Sequence, residues 1–200
     1  MKITKLFFLT MLLSLSLTAC QNKAVKAADE LIAEIGTISL SSGDAIVAAE
    51  EAVEELSKKE QKQLENAKEL EDAREEYDKL VKKKDTFKTM VDNSMQSLIS
   101  ENTITNYTFD IDDDGNISIK TWSSSWDGLL NQFARLSTQH WKQSWDNRRD
   151  AEEGFAEALT AEYAKTGLGG TIIYEIADAS DNNNIWFRFE NGICTYDAAD

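Results

Sequence analysis

Asp110-x-Asp112-x-Asp114-Gly115 is the densest grouping of chemistry-bearing side chains in the 200-residue chain. Carboxylates at positions 1, 3 and 5 of a loop can converge on calcium when a glycine at 6 makes the sharp turn, and Asn116 follows at position 7. The bidentate Glu that closes such a loop at position 12 is replaced by Thr121. Asp-Gly between alternating apolar residues is also an ordinary hairpin turn. The segment is therefore expected to be a turn first. At most it is a weak calcium site, with an affinity of about 10⁻⁴–10⁻³ M; no other cofactor is expected. A second loop, Asp178 to Asn184, offers Asp178 and Asp181 to an ion or polar ligand, against ordinary solvated turn chemistry. Trp186 alternates with Ile185 and Phe187, which puts it on one strand face with Arg188 and Glu190. An exposed Trp on a sheet face is a ligand-binding candidate.

Catalytic constellations are hard to assemble. His140 is the single histidine and lies inside a helical run, so no Ser-His-acid or Cys-His set forms around it. Cys and His do not cluster as metal ligands do. Glu152 and Glu153 are adjacent on a helix and point apart. Gly167 to Gly170 follows a helix rather than a strand, so it does not read as a phosphate loop. An envelope hydrolase using carboxylates is kept as an alternative, whose mark would be two carboxylates meeting in a buried cleft. A small-ligand receptor is a further alternative, disfavoured because residues 85–200 are short for two lobes.

Cys20 is the remaining reactive position. It follows a basic start, Met1 to Lys5, and an apolar run, Leu6 to Leu17, which together read as a secretory signal too short to span a membrane. The ending Leu17-Thr18-Ala19-Cys20 resembles the lipobox of bacterial lipoproteins. That resemblance implies cleavage before Cys20 and acylation of Cys20, with the protein anchored in the cell membrane on its extracytoplasmic face. Lys2 and Lys5 leave with residues 1–19, so 19 basic and 36 acidic residues remain, a net of −17. This charge argues against nucleic acid and against a polybasic grip on lipid. The lipid bilayer would be held by acyl chains alone, and an envelope or surface protein is the expected partner. Cys194 is then left without a partner in the chain and reads as a half-buried strand residue.

The elements that must position these residues follow from periodicity. Proline is absent, and Gly43 to Gly115 contains no glycine between its ends, so little interrupts helix there. Three helices are expected between Ala24 and Lys84. The first stops at Gly36, the second is capped by Ser42, and the third starts at the Ser57-Lys58-Lys59-Glu60 capping box and runs on through Leu64 and Leu70. Ile35-Gly36-x-Ile38-x-Leu40-x-Ser42 and Ala45-Ile46-x-Ala48-Ala49, followed by Leu56-Ser57, resemble a small helical module of Gram-positive surface and secreted proteins. The resemblance implies a spacer without catalytic residues. A coiled coil over Glu50–Lys84 competes with it, but the pattern drifts from a strict seven-residue repeat.

Residues 85–200 read as an α+β domain. A helix continues to about Glu101, with strands at Tyr107–Asp112 and Asn116–Trp122. A helical region follows over Asp127–Lys165, with Trp126 at its approach and Phe133, Leu136, Trp141 and Trp145 among its large apolar residues. Strands at Thr171–Ala177, Ile185–Glu190 and Ile193–Asp197 close the chain, the last two joined by the hairpin signal Asn191-Gly192. The order α-β-β-α-β-β-β implies an antiparallel sheet with helices on one face. Asn191-Gly192-x-x-x-Tyr196-Asp197 resembles C-terminal domains of small lipoproteins from Gram-positive anaerobes, which implies location and fold alone. The domains expected are residues 1–19, 20–84 and 85–200, and the function expected is that of a membrane-anchored binding module.

Overall fold

Gly36 ends the first helix with φ at +66°, a left-handed conformation that costs glycine no Cβ clash. The computed structural model describes residues 23–124, 138–181 and 183–199, so Cys20, the segment before it, Trp126, Phe133 and Leu136 lie outside the described residues. The chain divides into two compact units, Met1–Lys79 and Leu80–Asp200.

In the first unit, α1 covers 23–34. A short 3-10 turn, Leu40–Ser42, leads into α2, Gly43–Glu54, and the one-turn helix α3, Lys58–Gln61. The capping box at Ser57 forms: the Ser57 N–H donates to Glu60 Oε2 at 2.8 Å and the Glu60 N–H to Ser57 Oγ at 3.4 Å. It starts a single turn rather than the long helix expected from that point. Gln61 folds back to donate its side-chain amide to the Val53 and Leu56 carbonyls, at 3.0 and 3.2 Å. The long helix α4 begins at Ala67 and runs unbroken to Ser100. The loop ahead of it is pinned from α1, where Asp29 Oδ1 accepts the N–H groups of Glu65 and Asn66 at 3.1 and 3.0 Å. A partner so far along the chain is invisible to a local pattern. Ile32, Ile46, Ala49, Leu70 and Ala73 form the main core of this unit, and Arg74 closes it with a two-pronged pair to Glu50.

In the second unit, the later part of α4 supplies Phe87, Val91 and Met95 to the core. The remaining elements are β1 (Asn106–Ile111), β2 (Ile117–Trp122), α5 (Thr138–Ala164), β3 (Ile172–Ala177), β4 (Ile185–Glu190) and β5 (Ile193–Asp197). The five strands lie in sequence order. The sheet is mixed, not antiparallel: β2 and β3 run parallel, while the other neighbours are antiparallel. The reason is the connection. A chain that leaves β2, passes through α5 and returns beside β2 makes a crossover, and a crossover delivers its next strand in the same direction.

Ile117 and Ile119, Ile172, Tyr174 and Ile176, and Phe187 and Phe189 join Phe87, Val91, Met95, Trp145, Leu159 and Tyr163 in one buried cluster. Their strict alternation on β2 and β3 places α4 and α5 on a single face of the sheet. At the last hairpin Asn191 and Gly192 both have positive φ, 50° and 86°, the geometry of a two-residue turn whose twist matches its strands.

Candidate functional site

The other sheet face is built by strand register. Thr108, Lys120, Glu175, Arg188 and Tyr196 stand opposite one another across all five strands. Asp110, Ser118, Ile173, Glu190 and Ile193 make the adjoining row. Glu175 sits at the centre of the first row. Its Oε2 lies 3.0 Å from Lys120 Nζ and its Oε1 accepts the Arg188 Nε–H at 2.7 Å. Burial by itself would raise this carboxyl. Hydrogen bonds and charge from Arg188 and Lys120 outweigh burial and hold it below the ordinary glutamate value.

Two β-bulges set what this face shows. Ile176 pairs with Phe187 and Ala177 with Ile185, so Trp186 is the extra residue on β4. A bulge re-aims the side chain it contains. Trp186 is accordingly buried, at 3 % exposure, in the cluster that holds Phe187. The expected exposed tryptophan is corrected by this: Trp186 is a packing residue. Arg188 and Glu190 do reach solvent. The second bulge falls on β5, where Arg188 pairs with Tyr196 and Phe189 with Cys194, leaving Thr195 as the extra residue. Without it, Ile193 and Tyr196 would point to opposite faces. With it, both stand on the open face, Ile193 beside Glu190 and Tyr196 beside Arg188. They are 65 % and 49 % exposed. Sequence alternation missed this pair because a bulge leaves no signature in polarity.

The outer edge of β5 is guarded. The Cys194 N–H, which faces away from β4, donates to Glu153 Oε1 of α5 at 3.2 Å. Trp145 Nε1–H donates to Asp197 Oδ1 at 2.6 Å, and Arg149 lies 3.4 Å from Asp197 Oδ2. Arg149, Glu153 and Cys194–Asp197 line an open depression of about 610 Å³ along this edge. Cys194 is half-buried, and burial followed by the nearby Asp197 charge pushes its thiol up, away from thiolate chemistry.

The two acidic loops spend their carboxylates on their own turns. Asp112 Oδ1 accepts the N–H groups of Asp114 and Asn116 at 3.0 and 2.7 Å, and its Oδ2 accepts the Asn116 side-chain amide at 3.0 Å. These bonds, the Asn116 side chain first, lower the Asp112 carboxyl. Asn116 Oδ1 is taken by the Thr171 N–H at 3.0 Å, and Tyr163 donates its hydroxyl to the Gly115 carbonyl. Asp110 belongs to the second row of the open face, and Asp114 is exposed in the turn. Among the described residues no three acidic, His or Cys side chains gather as a metal site. Asp178 Oδ1 accepts from the Ser180 N–H and hydroxyl, both at 2.7 Å, and Asp181 Oδ1 from the Asn183 N–H at 3.1 Å.

Glu152 and Glu175, both of low exposure, are separated by the sheet, and Asp197, at 6 %, is held at the β5 edge by Trp145 and Arg149. Glu152 accepts the Tyr174 hydroxyl at 2.9 Å on the helix side, where Arg148 also pairs with it. Burial, then the Glu152 charge, pushes the Tyr174 hydroxyl well up. That network ties α5 to β3.

No protein-family profile, curated protein or solved structure matches this chain. No described helix is long and apolar enough to cross a membrane.

Proposed function

We propose that this chain is an extracytoplasmic lipoprotein, held at the membrane by acylated Cys20, which binds a partner through the open sheet face at β4 and β5. The observation that carries the binding half is the grouping of Ile193, Tyr196 and Arg188, exposed together on a face onto which the bulge at Thr195 turns Tyr196. Tyr and Arg are the residue types on which binding energy concentrates, and an exposed isoleucine beside them adds desolvated area. The membrane half is supported by the basic start, the short apolar run and the Leu17-Thr18-Ala19-Cys20 ending. The helical unit, between anchor and sheet in the sequence, is the spacer in this reading.

Two substitutions test the halves separately. Cys20→Ala should move the protein out of the membrane fraction, and intact wild-type protein should carry lipid mass on its N-terminal cysteine. Unchanged membrane association without lipid mass would reject the anchor. Ile193→Ser with Tyr196→Ala should abolish partner capture in envelope cross-linking while leaving membrane association and melting temperature unchanged. Retained capture would reject the face.

A further inference from the structure

Exposed glutamates border the anchors, and the nearby guanidiniums are already committed. Glu190 shares a row with Ile193 and is exposed. Glu157, also exposed, is on the α5 turn against which the hairpin packs: a Cβ at Gly192 would lie 3.0 Å from Glu157 Cα. Glu153 and Asp197 line the depression beside Tyr196 but are already used, Glu153 by the Cys194 N–H and Asp197 by Trp145 and Arg149. Arg149 is held by Asp146, Asp150 and Asp197, and Arg188 by Glu175. Glu157 and Glu190 form no ion pair among the described residues. Glu190 on the open face and Glu157 at the hairpin end thus present negative charge that no ion pair among the described residues neutralises.

We propose that the partner of this face is a basic polypeptide segment, rich in lysine or arginine and carrying an apolar or aromatic anchor. The proposal rests on the reading of β4 and β5 as a docking face and adds the chemistry of the occupant. Charge complementarity selects it: opposite potentials steer encounter and suppress wrong partners. A second copy of this chain is a poor occupant. Two chains of net −17 repel at short range, and five strands of five or six residues, about 4.8 Å apart with a rise of about 3.3 Å per residue, span a face of roughly 400 Å², well short of the ~800 Å² per partner of a standard interface. A short segment suits that area. It lies on the face rather than pairing as a sixth strand, because Glu153 occupies the Cys194 N–H and the Thr195 bulge interrupts the edge.

The test is selection of a random peptide library, displayed on phage, against the full mature chain. Peptides that also bind the Ile193→Ser/Tyr196→Ala double variant are removed. Matching circular dichroism and melting temperature certify that this variant is folded. The enriched peptides should be rich in Lys or Arg and contain an apolar or aromatic residue. The best of them, synthesised, should bind wild type about tenfold or more tighter than the double variant. Its affinity should fall as salt rises and with Glu157→Lys/Glu190→Lys. Enriched peptides that are neutral or acidic would overturn the charge assignment and leave the docking face standing. If every peptide enriched on wild type is lost at that removal because it binds the double variant equally well, the docking face is overturned as well. Purified cell-wall polysaccharide binding wild type but not the double variant, with no peptide enriched, would replace the polypeptide by a glycan. No enrichment and no polysaccharide binding would overturn the proposal outright.

Discussion

Trp186 and Tyr196 are aromatic residues on adjacent strands, and each is set by a bulge. One is buried and the other is half exposed. On β4 the extra residue is the aromatic itself, so the irregularity takes a ring that alternation would leave beside Arg188 and buries it. On β5 the extra residue is Thr195, and the irregularity passes to its neighbour, turning Tyr196 onto the face that Ile193 already occupies. The same device serves packing in one strand and display in the next. Aromatic type and strand position do not decide a ring's role here; the count of residues between paired positions does.

That contrast should be plainest in stability. Trp186→Ala removes a buried indole from the cluster around Phe187 and should cost about 3–5 kcal/mol. Tyr196→Ala should stay within about 0.5 kcal/mol of wild type, as exposed substitutions usually do. Urea unfolding of both variants decides it. Equal losses would mean that the β5 face is as much core as the β4 bulge, and the docking reading would fall with it.

Glu175 sharpens the comparison from the other direction, since it lies on the open face but is packed and paired like an interior group. Glu175→Gln keeps the shape and removes the charge that Lys120 and Arg188 share. The side chain is 11 % exposed, whereas its partners are 28 % and 49 % exposed. Water can therefore resolvate the freed cations, and the cost should be about 1–2 kcal/mol rather than the larger penalty of a fully buried pair. The pH dependence has a definite sign. The folded carboxyl titrates below the ordinary glutamate value of 4.5, so its contribution is present in full above that value and is lost as pH falls through the folded one. Wild type and Glu175→Gln should differ at pH 7 and converge in acid. Parallel urea midpoints across the whole range would show that the pair adds nothing.

The strands were legible because they obey local rules. β4 and β5 begin and end where alternation and the Asn191-Gly192 turn put them, and β1 starts one residue earlier than its pattern, at Asn106. What escaped needs partners distant in the chain. The parallel pairing of β2 with β3 follows from a crossover that hairpin counting overlooks. The loop between α3 and α4 is held by Asp29, far back in the chain. Of the site, simple alternation places Arg188 and Glu190 on the open face. It does not place Ile193 and Tyr196 there, and it puts Trp186 on the wrong face, because a one-residue bulge reverses every face assignment beyond it.

The smallest expected effect concerns the acidic turn, which compares with the β5 face as a region rich in charge but already used. Asp112 accepts three hydrogen bonds from within Asp114–Asn116, and Asn116 is itself held by Thr171. For calcium to bind, these bonds would have to be exchanged for metal–oxygen contacts, without the closing Glu that Thr121 replaces. Millimolar calcium should therefore leave the melting temperature of the full mature chain unchanged and produce no saturable heat in calorimetry. Asp112→Asn should lower stability slightly at neutral pH. The deficit should shrink as pH falls through the depressed Asp112 value, where the wild-type carboxylate also loses its charge. Micromolar calcium binding, abolished by Asp112→Ala, would reverse the order of the two regions. The turn would then be the ligand site, and the exposed Ile193 and Tyr196 would be ordinary surface.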